Sequence, residues 1–302
     1  MRSFCFLVVS LFAFSCLFAD DSIRILSINV RYSTANDGAN NWANRKDFMT
    51  SVIAEGNYDF VGTQETVMHP NPDLNQVTYI ASKLPEHGVL GRSREVNPEA
   101  GEAMMIYYKK DRWKMDETDQ ETFWLSDTPE VPGSKTDPKA GCPRSVTAAL
   151  FHELKDGQPT GRNMYVYNTH FDHMSEEVRQ RGTKQLMNRV AARKNKEIPV
   201  VVMGDMNCGE HSPAIRFMKG EPMTLDGQEW NSPYPLADSF RAANPDAADV
   251  GTFTGFKAPG KEKIDYIFIS PDLKTLSAEI IRTQQDDRYP TDHFPINAVI
   301  AW

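Results

Sequence analysis

The chain has 302 residues, 40% of them hydrophobic, and roughly 280 remain once an N-terminal leader is set aside, long for one domain but within the range of large single-domain sandwiches and barrels. The formal net charge of −8 argues against a strong nonspecific grip on polyanions, although it leaves room for a local basic groove. No Ser/Gly-rich or Pro-rich spacer and no internal repeat divides the chain, so a solenoid is excluded and one domain over residues 20–302 is expected.

In chain order, MRSFCFLVVSLFAFSCLFAD comes first, with Arg2 ahead of an apolar run from Phe4 to Ala19 and charge at Asp20 and Asp21. That is the pattern of a signal peptide over residues 1–19. The run is shorter than the ~20 apolar residues of a membrane helix, and no later stretch could stop transfer. A soluble protein, secreted or periplasmic, with no transmembrane segment is expected. Its charge becomes −9 once Arg2 leaves. Lipidation at Cys16 is the alternative, weakened because Ala13-Phe14-Ser15 lacks the Leu of a lipoprotein signal. The mature chain keeps Cys142 and Cys208, either paired, as an exported protein allows, or two separate buried thiols.

IRILSINV, Ile23 to Val30, alternates apolar and polar residues and predicts a strand. Trp42 to Gly56 carries Phe48, Val52 and Ile53 at helical spacing, and Tyr58 to Thr63 predicts a second strand. Strand, helix and strand so close together suggest a parallel crossover. Further strands are predicted at Ala103 to Tyr108, Ser145 to Leu154, Met164 to Thr169, Val200 to Met203, Ile264 to Ile269 and Ile296 to Ala301, with helices at Glu176 to Ala192 and from Pro213. Many strands and few helices indicate a layered α/β or α+β sandwich.

The polar residues fall at strand ends. Asn29 ends the first strand, Glu65 follows the second in GTQET, His170 and Asp172 follow YVYNTHFD, VVVMGDMN delivers Asp205 and Asn207, KIDYIFIS carries Asp265, and PTDHF carries Asp292 and His293. Any one of these is most simply a turn former. Six in succession are better explained by a rim where catalytic groups gather. Oxygen ligands such as Asn29, Glu65 and Asp292 suit a hard cation, Mg²⁺ or Mn²⁺, better than zinc, and no HExxH or CxxC spacing is present. The imidazoles then suit proton transfer and stabilisation of phosphate oxygens. No GxSxG elbow supports covalent serine catalysis.

The succession INVR, QET, NTHFDH, GDMN, IDYIFIS and TDHFP, from Ile25 to Pro295, resembles the endonuclease/exonuclease/phosphatase superfamily that includes deoxyribonuclease I. FWLSDTPEVPGSK at residues 123–135, with Pro143 and Arg144, further resembles a bacterial exported branch of it. The resemblance implies a deoxyribonuclease I-like, four-layer sandwich of two central mixed sheets flanked by helices. It implies Glu65 as the principal metal ligand, helped by Asn29 and Asp292; Asp205 holding or activating the attacking water; and Asn207 directed at the phosphate. It also implies His293 as an acid/base or phosphate contact oriented by Asp265, His170 at the scissile phosphate oriented by Glu102, and Arg31 and Arg144 on phosphate oxygens. Whether one or two metals act stays open.

The expected function is hydrolysis of a phosphodiester or phosphomonoester by in-line water attack, in a monomer. An extracellular nuclease is the rival enzyme, opposed by the acidic balance and by the lack of a basic, aromatic-studded run. A non-catalytic binding module would need a lost core residue, and none is missing. Among the remaining residues, Asp172 and His173 read as turn formers, His211 as a candidate pocket residue, and Trp42, Trp113 and Trp124 as core aromatics. Arg179, Arg181, Lys184 and Arg189 read as one solvated helix face.

Overall fold

The computed structural model describes residues 21–136 and 139–302. Residues 1–19, read above as a signal peptide, with Cys16 among them, lie outside the described residues. Fourteen strands are β1 (Ile23–Asn29), β2 (Phe60–Met68), β3 (His87–Leu90), β4 (Gly101–Lys109), β5 (Trp113–Trp124), β6 (Ser145–Lys155), β7 (Gln158–His170), β8 (Val200–Asp205), β9 (Met223–Leu225), β10 (Gln228–Trp230), β11 (Ala237–Asp238), β12 (Asp265–Ile269), β13 (Lys274–Ile280) and β14 (Ile296–Ala301). The first sheet runs β13-β14-β1-β2-β4-β3 and the second β11-β12-β8-β7-β6-β5, while β9 and β10 form a separate ribbon. Both large sheets are mixed, because β1 with β2 and β7 with β8 are parallel and the remaining pairs are antiparallel.

Three apolar cores stack through the molecule, making four layers. Leu26, Ile28 and Val61 on the outer face of the first sheet pack on α1 (Trp42–Glu55) and α2 (Gln76–Lys83). Ile25, Phe60 and Ile106 meet Phe151, Val166 and Met203 between the sheets. Tyr167, Val202 and Phe268 pack on α3 (Glu176–Ala191) and α4 (Pro213–Met218) outside the second sheet. The last helix, α5 (Ser239–Ala243), closes one edge. The four-layer sandwich expected above is therefore the architecture, and α1 is the crossover between the parallel β1 and β2. Its buried face is Trp42, Arg45, Met49 and Ile53, so Phe48 and Val52 are only half-buried.

The unpredicted strands share one physical feature. β5 pairs only with β6 and β13 only with β14. Edge strands bury one side at most, so WKMDETDQETFW and KTLSAEI carry charge where a central strand would carry Val or Ile. α2 is short and begins at Asn75, whose side chain accepts from Thr78 N, a cap that the sequence reading overlooked. Trp42, Trp113 and Trp124 are buried, as expected.

Candidate active site

Side chains alternate across a strand, so each central strand has one row facing the other sheet. On β1 that row is Ile23 and Ile25, then Ser27 and Asn29; on β7 it is Met164 and Val166, then Asn168 and His170; on β8 it is Val201 and Met203, then Asp205. On β12 it begins at Asp265 and continues with Ile267 and Ile269. Four strands thus change from apolar to polar in the same row at the same end of the layer between the sheets. The site is the polar end of the inter-sheet core.

Two backbone features complete the row. The β2–β4 register shifts between Thr63 and Thr66, and Glu65 within that bulge has φ +58, which turns it toward Asn29. At Gly204 an added Cβ would sit 2.1 Å from Thr169 O, so the close approach of β7 and β8 beneath Asp205 admits only glycine.

The resulting contacts join most of the expected residues. Asn29 Nδ2 donates to Glu65 Oε1 (3.1 Å) and Asp205 Oδ2 (3.0 Å). Asn207 N donates to Asp205 Oδ1 (2.9 Å). Asp205 Oδ2 stands 3.4 Å from His170 Nε2 and 3.7 Å from His293 Nε2. The far nitrogen of His293, Nδ1, pairs with Asp265 Oδ2 at 2.9 Å, as the resemblance implied. Asn207 Nδ2 lies 2.8 Å from His170 Nε2; with the amide as donor, the ring nitrogen accepts, the role of a neutral imidazole.

The two histidines are held in opposite states. Burial, then Arg144 and Arg94, pushes His170 well below the usual imidazole range, so it is neutral. Burial works against charge on His293 too, but Asp265 and Asp205 outweigh it and hold the imidazolium well above that range. Burial and the nearby Asp265 push the Asp205 carboxyl up. Neighbouring groups driven apart in this way mark acid and base roles.

At the other corner Arg31 donates to both carboxylate oxygens of Asp37, at 3.0 and 2.9 Å, and stands 3.6 Å from Asp292 and 4.0 Å from Glu65. Burial raises the Asp292 carboxyl and Glu65 adds to it. A buried carboxylate beside a second carboxylate is the donor set a hard dication would stabilise, so Glu65, Asp292 and the amide of Asn29 fit Mg²⁺ or Mn²⁺. As oriented here, Asn29 bridges the carboxylates of Glu65 and Asp205 through its Nδ2, while its Oδ1 accepts from Arg31 N. Asp205, Asp265 and His293 also offer ligand atoms within 4.8 Å of one another. With His293 Nδ1 bonded to Asp265, that trio reads as a proton relay.

Some expectations are corrected. Glu102 does not orient His170: it accepts from Arg94 Nη2 at 2.8 Å, and His170 Nδ1 has no hydrogen-bond partner among the described residues. Arg31 is engaged by Asp37 at the carboxylate corner, so its contact is with the proposed ligands as well as the cavity. His211 is exposed and is not among the cavity-lining residues. Asp172 is a turn residue, accepting from Gly141, Met174 and Ser175 N, whereas His173 lines the cavity beside Arg144. The α3 arginines are paired rather than merely solvated, Arg179 with Glu176, Arg181 with Glu177 and Arg189 with Glu130, and Lys184 sits 3.0 Å over the Trp230 ring. Cys142 and Cys208 are separate free thiols.

Three contributors escaped the sequence reading. Gln64 Nε2 donates to Asn168 Oδ1 (2.7 Å), and Asn168 Nδ2 donates to Thr63 O and Met105 O, which locks the sheets together beneath the site. Arg94 lines the cavity from the segment between β3 and β4. The parity of polar residues in GTQET and YVYNTHFD carried the signal for Gln64 and Asn168. The cavity itself has a volume of about 550 Å³ and opens past Phe253, whose ring meets His293 edge-on at 5.1 Å.

Residues 26–293 match the sequence profile of the Endonuclease/Exonuclease/phosphatase family. An endonuclease/exonuclease/phosphatase from Bacteroides vulgatus is 29% identical with a TM-score of 0.78, over 92% of this chain and 98% of that one. A functionally unknown conserved protein from Enterococcus faecalis is 27% identical with a TM-score of 0.76, over 92% and 99%. A mannosyl-6-phosphatase from Bacteroides thetaiotaomicron is 25% identical with a TM-score of 0.75, over 93% and 100%. No curated protein sequence is significantly similar. Among the described residues no helix is long and apolar enough to cross a membrane.

Proposed function

The chain belongs to the endonuclease/exonuclease/phosphatase family and is a hydrolase of ester bonds, and from that premise we propose an exported, divalent-metal-dependent phosphoesterase that attacks its substrate in line with water. Export rests on the sequence of residues 1–19. The observation that carries the chemistry is Asp205 set between two imidazoles, 3.4 Å from His170 Nε2 and 3.7 Å from His293 Nε2, with His293 Nδ1 held by Asp265.

Asp205, a carboxylate whose proton affinity is raised by burial, accepts the proton of the attacking water. His293, fixed by Asp265, presents a charged N–H to the phosphoryl oxygens and can pass a proton to the leaving oxygen. His170 holds the Asn207 amide in place at the cavity, so that the phosphate meets a prepositioned donor rather than a rotating one. A divalent ion held by Glu65, Asp292 and Asn29 would supply Lewis-acid stabilisation of charge on the phosphoryl group.

A panel of plasmid DNA, RNA, bis-p-nitrophenyl phosphate, phosphoinositides, sphingomyelin and sugar 6-phosphates, with and without Mg²⁺ or Mn²⁺, tests this reading. The mature chain is expected to turn over at least one ester, to stop in EDTA and to recover when metal is returned. Full turnover in excess EDTA after dialysis overturns the metal dependence, and hydrolysis of none of the esters overturns the phosphoesterase reading.

A further inference from the structure

Arg45 and Arg193 are built alike but stand in different places. Arg45, on the buried face of α1, is 4% exposed: its Nε donates to Asn40 O (3.1 Å), its Nη1 to Val30 O (2.7 Å) and Pro290 O (3.4 Å), and its Nη2 to Arg31 O (2.7 Å). Arg193, just beyond α3, is 6% exposed and donates to the carbonyls of Val190, Lys196 and Ile198. Both guanidiniums also lie over an aromatic ring, Arg45 over Trp42 at 5.3 Å and Arg193 over Tyr234 at 4.4 Å. The carbonyls held by Arg193 turn the chain into β8 at the end opposite Asp205. Those held by Arg45 flank the proposed metal ligands, since Val30 and Arg31 follow Asn29 and Pro290 stands two residues before Asp292.

That corner needs a tie. The antiparallel ladder between β1 and β14 stops at Ser27 and Ile296, short of both Asn29 and Asp292. Beyond it, Thr291 Oγ1 donates to Asn29 O (2.7 Å), and Arg45 bridges Val30 and Arg31 to Pro290. Arg31 leaves β1 with φ +54, a left-handed backbone that a β-carbon disfavours. Its carbonyl accepts from Arg45 and also from Gln76 Nε2 (2.9 Å), which fixes the bend. From the same bend Tyr32 N donates to Glu65 Oε2 (3.2 Å), so the third ligand is set by it as well.

Resting on the metal-dependent reading above, we propose that Arg45 is a positioning residue for the metal corner, bonding the main chain on both sides of it so that Asn29, Glu65 and Asp292 are assembled before a divalent ion arrives. A planar fork reaches carbonyls in diverging directions, which a single ammonium does not. Groups that hold metal ligands in this way set metal affinity by about 10–100-fold. Charge acts in the opposite sense. Asp292 and Glu65 favour the cation on Arg45, so by electrostatics alone its removal would tighten the binding of a dication. The sign of the change therefore separates positioning from charge.

The test compares the wild type with Arg45→Lys, Arg45→Gln and Arg193→Gln. Calorimetric titration with Mn²⁺ in the absence of substrate gives the affinity directly. The Mg²⁺ dependence of turnover is followed on the ester that the wild type hydrolyses fastest, and melting temperatures in EDTA report folding. Both Arg45 variants are expected to bind Mn²⁺ about 10-fold more weakly or worse and to raise the half-saturating Mg²⁺ by a similar factor, with kcat at saturating Mg²⁺ kept within about 3-fold. Arg193→Gln loses the same kind of bonds and should lower the melting temperature while leaving Mn²⁺ affinity within about 2-fold. Arg45→Lys keeps the charge and carries the test if Arg45→Gln fails to fold. Unchanged or tighter Mn²⁺ binding in a folded Arg45 variant overturns the proposal, and so does equal weakening in Arg193→Gln, which would report a loosened fold. If the wild type itself binds no Mn²⁺, the metal-dependent reading fails and takes this role with it, whereas a wild type that binds Mn²⁺ no better than its Arg45 variants removes this role alone.

Discussion

Around Lys263 the protein buries charge and closes it. The fully buried ammonium donates to Asp238 (2.8 Å), lies 3.6 Å from Glu210 and 3.4 Å over the Tyr266 ring, while Arg241 clamps both Glu210 oxygens and Asp238 accepts from Phe240 N. Around Arg94 and Arg144 buried charge is left open: three guanidinium nitrogens and His170 Nδ1 have no hydrogen-bond partner among the described residues. Composition does not separate these regions, since both mix Arg or Lys with Asp or Glu. What separates them is hydrogen-bond completeness, and an incomplete buried network points to a ligand where a complete one points to stability.

The sharpest way to break this comparison is at the relay, where the largest effect is expected. His293→Ala and Asp265→Asn should each reduce kcat by on the order of 10²-fold or more, and the double variant should lose little beyond the worse single change, because the pair acts as a unit. The pH profile adds a sign. Asp265 and Asp205 hold the imidazolium above its usual range, and a required imidazolium is lost as pH rises through that pKa. Asp265→Asn should therefore move the alkaline limb to lower pH. Multiplicative losses, or a limb that stays where it is, would leave the two residues uncoupled.

The closed cluster should respond in stability instead. Lys263→Met leaves Asp238 buried without its cation and is expected to cost about 3–5 kcal/mol, read by chemical denaturation. Arg144→Met removes a side chain whose Nε satisfies nothing and should stay within about 1 kcal/mol. Similar losses from both substitutions would show that the open donors do not distinguish a ligand site from a structural one.

Much of the site was legible because its chemistry is written in residue type at strand ends. Asn29, His170, Asp205, Asn207, Asp265, Asp292 and His293 lie at or near the ends of strands of two sheets, and Glu65, expected just after a strand, sits inside β2 in the bulge that turns it to the same rim. Partners were less legible. The resemblance pairs Glu102 with His170, but the segment between β3 and β4 brings Arg94 to Glu102 instead, a contact created by a loop with no period to read. His173 sits in a turn and was read as one, yet the same turn carries it to Arg144. Gln64 and Asn168 were hidden for the opposite reason: a polar residue inside a strand looks like an outward-facing one until the other sheet is in place.

The two cysteines sample the same contrast and carry its smallest expected effect. Cys208 belongs to the closed side: it is buried in the core with α4, its carbonyl accepts from the hydroxyl of Tyr266, the ring on which Lys263 rests, and burial pushes its thiol up to about 12. Cys142 belongs to the open side, half-buried at the cavity two residues before Arg144. A thiol reagent such as DTNB should therefore modify one cysteine per native chain at pH 8, Cys142, and reach Cys208 only on unfolding, since a buried, protonated thiol is inert. Because no disulfide joins them, adding a reductant should leave the melting temperature of the oxidised-purified protein unchanged, whereas a structural bridge would be worth about 2–4 kcal/mol. Rapid native labelling of both thiols would show that the core around Tyr266 opens readily and is not closed in the sense argued here. Labelling of neither, with a melting temperature that falls in reductant, would mean that the two regions are tied by a bond the structure does not contain.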